Sequence, residues 1–133
     1  MDSRSKILNL EQAEQMAQHL RAAGRRLVLT AGTFEVLHAD HARFLNSLRG
    51  DSAALLAAVY GDAACCLKLG RPQPALDEQS RAQMVAALAC VDFVLIWPEP
   101  ELEALQQRLR PDRVEPLGSA EPDLAGAVLK RFK

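Results

Sequence analysis

Features that would place this chain of 133 residues in a special class are scarce in its sequence. Its three cysteines, Cys65, Cys66 and Cys90, lack the CxxC spacing of a zinc site and are too few for a disulfide framework. We therefore expect reduced thiols in a cytoplasmic protein. The net charge is −1, which leaves no large basic surface for nucleic acid. No apolar run approaches the roughly 20 residues of a membrane span, and the N-terminus lacks the apolar core of a signal peptide.

The composition that remains is that of an ordinary soluble domain. Apolar residues make up 49% of the chain and charged residues 25%, which is sufficient for a hydrophobic core. At this length the prediction is a single domain over residues 1–133. The apolar content is high for so small a surface, so we also predict a homodimer.

Apolar runs alternate with amphipathic stretches along the chain. Strands are predicted at 26–30, 53–60, 91–97 and 112–115. Helices are predicted at 9–24, 41–49, 77–89, 101–109 and 123–132. The run 53–60 is rich in alanine, so a helix is its alternative, and 61–75 is expected to be partly loop because it holds two glycines and two prolines. This alternation is typical of the α/β class, with a parallel sheet covered by helices on both faces.

The stretch 26–48, RLVLTAGTFEVLHADHARFLNSL, combines a strand, a loop and a helix, and it carries His38 and His41. A helix N-terminus presents N–H donors and the positive end of a dipole, so imidazole and backbone donors could hold a phosphate there together. In parallel sheets, ligands bind beyond the carboxyl ends of the strands. Two alternatives stay open: a capping or surface role for the histidines, and a metal site, which lacks a third ligand at suitable spacing.

A family resemblance adds to this interpretation. TAGTFEVLHADH resembles the TNGCFDxLHxGH stretch of the cytidylyltransferase-like nucleotidyltransferases, with heptose-phosphate adenylyltransferase and glycerol-phosphate cytidylyltransferase domains nearest in pattern. LRAAGRR, GDAACCLKLGRP and RAQMVAALACVDFV follow in the family's order, so the resemblance covers residues 10–112. It implies a Rossmann-like fold. It also implies a reaction, with Mg²⁺, that joins ATP or CTP to a sugar- or polyol-phosphate and releases pyrophosphate.

The resemblance implies roles for residues in the first motif. His38 and His41 match the histidines that contact the nucleotide phosphates and stabilise the charge that develops at the α-phosphate. Gly32, Thr33 and Phe34 belong to the loop whose backbone would approach the triphosphate. Nucleotidyl transfer needs positioned donors of this kind because it depends mainly on electrostatics and orientation.

Three residues further along the chain also match the family's landmarks. Lys68 matches a basic residue that the family uses on the phosphate groups of its substrates. Arg81 matches an arginine at the start of the following helix and is a candidate nucleotide ligand, with a surface salt bridge as its alternative. Asp92 is expected to be structural, as a turn into the strand. No residue of the chain is implied as a metal ligand.

Departures from the family pattern begin at Asp40, which replaces the glycine of HxGH. At an effective dielectric constant of ~20, two unit charges ~4 Å apart interact by about 4 kcal/mol, so this carboxylate would repel a phosphate unless Mg²⁺, Arg43 or a proton compensates. Its alternative role is the N-cap of the helix. Ala31, Thr33 and Glu35 stand where the family has Asn, Cys and Asp.

A second departure lies near the C-terminus. Glu115 and Pro116 occupy the place of the family's Lys-Gly segment, and only Ser119 suggests the later hydroxyl-rich stretch that contacts the triphosphate. Two hypotheses are therefore open. The chain is an active nucleotidyltransferase, or it is a catalytically degenerate member of the fold that binds a nucleotide or phosphorylated metabolite or serves as a partner module.

Overall fold

The structure is a computed structural model that describes residues 2–35, 37–50 and 52–117. Five parallel strands form one sheet: β1 (Ile7–Leu8), β2 (Leu27–Gly32), β3 (Ala54–Tyr60), β4 (Phe93–Trp97) and β5 (Arg113–Pro116). Their order across the sheet is β1-β4-β3-β2-β5. A 3₁₀ turn, Ser3–Lys6, precedes β1. The predicted strands 26–30, 53–60 and 91–97 are thus neighbours in one parallel sheet, with their carboxyl ends at a common edge.

Within the part of the chain that the structure describes, five helices cover the two faces of this sheet. They are α1 (Leu10–Ala22), α2 (Ala39–Arg49), α3 (Asp62–Leu69), α4 (Glu78–Ala86) and α5 (Glu103–Leu109). One core cluster packs α1, α3 and α5 against one face, and the other packs α2 and α4 against the opposite face. The predicted class, an α/β Rossmann-like fold with helices on both faces, is confirmed.

Strands β2 and β3 are buried along their whole length. Successive side chains of a strand point to opposite faces, so Leu29 and Leu56 enter one core cluster whereas Val28 and Leu55 enter the other. Strand β3 is buried on both sides, and its alanines suit close packing by helices. The alternative of a helix at 53–60 is therefore wrong.

Other elements differ from the prediction at their boundaries. Helix α3 takes up the first half of the segment expected to be partly loop, and it ends at Gly70, whose φ of +66° is the left-handed conformation that glycine adopts freely. Helix α2 begins two residues before the predicted position. The predicted helix 123–132 and Ser119 lie outside the described residues.

Two aspartates organise the amino edge of the sheet. Asp92 Oδ2 accepts hydrogen bonds from Leu55 N (2.8 Å) and from Arg49 Nε (3.0 Å), and Asp112 Oδ2 accepts one from Leu27 N (2.7 Å). Each carboxylate therefore fixes the start of a strand, which agrees with the structural role expected of Asp92. Within the described residues, no helix is long and apolar enough to cross a membrane.

The three cysteines are free thiols with different accessibility. Cys65 is fully buried in α3, whereas Cys66 and Cys90 are half-buried. Burial raises the pKa of the Cys65 thiol and also that of Cys90. A raised pKa leaves less of the reactive thiolate at neutral pH.

We therefore predict a graded reaction with a thiol reagent. In the folded protein at neutral pH, Cys66 reacts first and Cys65 last, and the slow reactions accelerate as the pH is raised. Mass spectrometry of quenched, alkylated protein measures the order. Unfolded, non-reduced protein should show three thiols, whereas a count of one would reveal a disulfide.

Candidate active site

The strand order changes direction at β2. The chain passes from β2 to β3 by way of α2 on one face, and it returns from β4 to β5, on the other side of β2, by way of α5 on the opposite face. Ligands of open α/β sheets bind at the carboxyl edge where such a reversal occurs. A crevice of ≈ 300 Å³ lies there, lined by residues that include Gly32, Thr33, Tyr60, Lys68, Leu69 and Pro116.

Beyond β2 the chain makes a turn of unusual conformation. Phe34 has a φ of +50° and is 2% exposed, with its ring in the core cluster that also holds Val28 and Leu45. A left-handed backbone at a bulky residue costs about 1–3 kcal/mol and persists only where the surroundings over-determine it. The predicted phosphate loop therefore contains a strained residue, held by burial of its own side chain.

Both histidines take part in a reciprocal capping box at the start of α2. His38 is the N-cap: its Nδ1 accepts from Asp40 N (3.1 Å), while its own N–H donates to Nδ1 of His41 (3.0 Å). The alternative role of Asp40 as the N-cap of this helix is therefore wrong, because the imidazole of His38 already accepts the backbone N–H that a cap must satisfy. Helix α2 begins early for the same reason.

This capping box fixes which ring nitrogen carries a proton. A nitrogen that accepts a hydrogen bond bears no proton, so each neutral ring must carry its proton on Nε2. The ring centroids are 6.3 Å apart with an interplanar angle of 87°, and His41 is 3% exposed whereas His38 is exposed. Both imidazoles thus lie at the positive end of the α2 dipole, where N–H donors suit an anion.

Asp40 is the second residue of α2 and is largely exposed. Its carboxylate forms an ion pair with Arg43, and Oδ2 lies 3.5 Å from Nδ1 of His38. Arg43 thus supplies the compensation that the sequence left open. Because the ion pair is exposed, its strength is modest, and a negative charge still lies beside the histidines.

Lys68 approaches the same edge from the other face of the sheet. Its Nζ lies 4.4 Å from the centroid of the Tyr60 ring, and the side chain lines the crevice together with Gly32 and Thr33. The structure therefore brings Lys68 to the carboxyl end of β2, while the histidines lie at the start of α2, on the opposite face of the sheet.

Arg81 is fully buried, so the alternative of a surface salt bridge is wrong. Its guanidinium donates to the carbonyls of Leu76 (Nε, 2.9 Å), Thr33 (Nη1, 2.8 Å) and Tyr60 (Nη1, 2.6 Å), and to Oδ1 of Asp62 (Nη2, 2.8 Å). A direct contact with a nucleotide would require the guanidinium to leave these partners. In this structure the buried guanidinium instead binds the Thr33 carbonyl, in the turn that follows β2.

Sequence reasoning did not assign a function to Glu35 or Arg71. Glu35 is 4% exposed, forms an ion pair with Arg71, and accepts a hydrogen bond from Ala75 N. The signal in the sequence was an acidic residue inside an otherwise apolar loop, at a position where the family also carries an acid. Its partner, which lies 36 positions further along the chain, could be found only from the fold.

The chain is similar in sequence to curated proteins of known name. No family model matches the chain. It is 34% identical over 122 residues to the Bifunctional protein HldE of Pelobacter propionicus, and 36% identical over 107 residues to that of Magnetococcus marinus. The alignments cover 92% and 80% of this chain but only 25% and 22% of the relatives. The chain thus spans about a quarter of the length of these curated relatives.

A solved structure shares the fold. The lipopolysaccharide core biosynthesis protein of Thermoplasma volcanium GSS1 superposes with a TM-score of 0.60 at 25% identity, covering 67% of this chain and 71% of that one. These similarities support the cytidylyltransferase-like family in the broad sense.

The family resemblance implies Mg²⁺, which needs oxygen ligands. Within 2–35, 37–50 and 52–117, no group of three or more His, Cys, Asp or Glu side chains is placed to hold a metal ion. Mg²⁺ commonly binds through one or two carboxylates together with substrate phosphates. If it binds, Mg²⁺ would therefore be held largely by the phosphates of a substrate rather than by the described residues.

The capping box gives a test that does not depend on ligand binding. Asparagine is a strong N-cap and alanine a poor one, a difference of typically ~1 kcal/mol. We predict that His38→Ala lowers the free energy of unfolding by about that amount, whereas His38→Asn retains most of it. Urea denaturation followed by circular dichroism measures both. Equal stability of the two variants would show that the imidazole does not serve as a cap in solution.

Proposed function

We propose that this chain is a nucleotidyltransferase domain that takes ATP or CTP and a phosphorylated sugar or polyol and releases pyrophosphate. The observation that carries the proposal is the His38–His41 capping box at the N-terminus of α2, the helix that follows β2 at the strand-order reversal. Because both Nδ1 atoms accept backbone hydrogen bonds, Nε2 of each neutral ring would be the donor to a phosphate. Similarity to HldE proteins and to a lipopolysaccharide core biosynthesis protein favours the sugar-phosphate class.

In the proposed reaction, a phosphate oxygen of the acceptor attacks the α-phosphorus of the nucleotide. The bond from that phosphorus to the bridging oxygen breaks, and the electron pair leaves with pyrophosphate. Negative charge on the phosphate oxygens is redistributed during this step, and preorganised donors stabilise it without reorganisation. His38 and His41 would supply these donors on the α2 side of the site.

The crevice of ≈ 300 Å³ on the other side would receive the acceptor. Among the described residues that line it, Lys68 is the cation, and its ammonium group, which lies 4.4 Å from the centroid of the Tyr60 ring, would pair with the acceptor's phosphate. A phosphate near the ammonium is favoured by charge, and a volume of this size suits a small organic body. Mg²⁺, held by the nucleotide's own phosphates, would supply further charge neutralisation.

A second candidate is a binding or partner module without turnover. It is favoured by the exposed carboxylate of Asp40 beside the histidines, and by Glu115 and Pro116 at the end of β5 where the family resemblance implies Lys-Gly. Both features place acidic or rigid residues where a triphosphate would need donors. The two candidates differ in one measurable property, the release of pyrophosphate.

The activity test measures pyrophosphate release from ATP and CTP with Mg²⁺ and a panel of phosphorylated sugars and polyols. Loss of one donor aimed at a developing charge typically lowers the rate by roughly 10²–10³-fold, and we expect this of His41→Ala and His38→Asn. The control is His19→Asn, which alters an exposed histidine on α1. Equal loss of pyrophosphate release in all three variants, or release that persists in all three, would contradict the role assigned to His38 and His41. No release by wild type with any acceptor would favour the second candidate.

Binding measurements test the role of Asp40. We predict that wild-type protein binds ATP and CTP weakly or not at all, and that Asp40→Gly binds more tightly, because the change removes a negative charge and a Cβ beside the phosphate site. Asp40→Asn, which removes only the charge, should give part of the gain. Calorimetry with and without Mg²⁺ measures the affinities.

The control for this prediction is Glu11→Gly. Glu11 is the second residue of α1, as Asp40 is of α2, so the substitution weakens a helix start of the same kind far from the histidines. Its affinity should equal that of wild type. Adding His41→Ala to Asp40→Gly should abolish the gain. If wild type binds at micromolar concentration and Asp40→Gly weakens binding, Asp40 is a working part of the site.

A further inference from the structure

Two buried charges connect the turn at the end of β2 to a distant part of the chain. The first is the guanidinium of Arg81, which donates to Thr33 O in the turn formed by residues 33–35 and to Leu76 O in the segment 71–77. The second is the carboxylate of Glu35, which accepts from the side chain of Arg71 and from Ala75 N. The 33–35 turn and the 71–77 segment are therefore joined by two independent sets of hydrogen bonds, one made by Arg81 and one by Glu35.

These connections are costly to bury. An ion removed from water is tolerated only where hydrogen bonds and an opposite charge replace its hydration. Arg81 is fully enclosed and meets one carboxylate, Asp62, together with three carbonyls, while Glu35 is 4% exposed and meets one guanidinium and one N–H. The planar guanidinium also fixes the directions of its acceptors, which a lysine would not.

The residue between these two connections is the strained one. Phe34, with φ at +50°, follows the Thr33 carbonyl that Arg81 holds and precedes Glu35. His38, the cap of α2, lies three positions beyond Glu35. A change in the path of the 33–35 turn would therefore change the start of α2 and the direction of both imidazoles.

We propose that Arg81 and Glu35 are positioning residues that hold the 33–35 turn in the shape needed to receive phosphate. This proposal rests on the proposed function of the histidine site. Neither residue touches the ligand; both act through the turn. The 71–77 segment is consequently coupled to the phosphate site, and anything that loosens the segment loosens the site.

Hydrogen exchange on the ligand-free protein tests this coupling directly. Pro72 and Pro74 have no N–H, so exchange within 72–76 reports Gln73, Ala75 and Leu76 alone. Glu35→Gln keeps an acceptor for Ala75 N but removes the charge that pairs with Arg71. We expect amide exchange about tenfold faster in both 73–76 and 33–38, the loss typical of one hydrogen bond to a charged group.

The matched control is Asp92→Asn at the opposite edge of the sheet. Asp92, like Glu35, is a carboxylate shared between an arginine and a backbone N–H. Its substitution should leave exchange at 33–38 and 73–76 unchanged while thermal unfolding shows comparable destabilisation. Faster exchange in 73–76 with unchanged exchange in 33–38 would overturn the proposal, and so would equal effects of the two variants.

A second pair of variants tests the two arginines, Arg71 and Arg81. Arg71→Gln removes the other partner of the ion pair at a half-buried position, and it should reproduce the exchange pattern of Glu35→Gln. Arg81→Lys keeps the charge but loses the planar fork, so it should accelerate exchange at both places at least as strongly. Should Arg81→Lys fail to fold, Arg71→Gln and Glu35→Gln decide the question.

Ligand affinity separates this proposal from the proposed function. ATP and CTP are titrated into whichever of wild type and Asp40→Gly binds more tightly, with and without Glu35→Gln. We expect Glu35→Gln to weaken nucleotide binding about tenfold, an effect of the size that coupled sites commonly show. Asp92→Asn should weaken it less than about twofold. If no background binds nucleotide, the proposed function fails, while the exchange result still decides whether the turn and the segment are coupled.

Discussion

The parallel pairing of β2 with β3 is the constraint on which the site depends. Its register runs from Leu27 opposite Ala54 to Gly32 opposite Val59, so both strands end at the same level of the sheet. The next carbonyls, those of Thr33 and Tyr60, are therefore close enough for one nitrogen of Arg81 to bind both. Slippage of a strand would send its side chains to the wrong faces, and it would also separate these two carbonyls.

That constraint explains which parts of the fold could be predicted from the sequence. A strand buried on both faces needs a continuous apolar run, and the runs at 26–30, 53–60 and 91–97 gave the central strands and their parallel arrangement. Helix α3 was only partly anticipated because its capping depends on tertiary structure: Gly61 offers no side chain, and Glu78 of α4 accepts from Asp62 N instead. Local sequence carries no signal for a cap supplied from 16 positions away.

The site shows the same division between local and distant information. The histidine pair could be located from its spacing and its strand–loop–helix context, and the capping box is a local arrangement. The sequence offered Asp40 as the N-cap of α2, because aspartate is more strongly preferred at that position than histidine. The burial of Arg81 and the pairing of Glu35 with Arg71 could not be predicted, because a charged residue is exposed unless the fold supplies partners, and these partners come from distant parts of the chain.

The two roles of His38 follow from a single hydrogen bond. By accepting from Asp40 N, its Nδ1 both starts helix α2 and commits the ring's proton to Nε2. A serine or asparagine at this position would start the helix equally well but would offer a phosphate no imidazole donor. The carboxylate of Asp40 is paired with Arg43 and lies 3.5 Å from Nδ1 of His38, so a charge that would oppose a phosphate and a donor that would attract it lie within one helical turn. On the proposed function, the affinity for a triphosphate depends on the balance between these two neighbours, and on the proposed coupling the contacts of Arg81 and Glu35 with the 33–35 turn set how rigidly that balance is held.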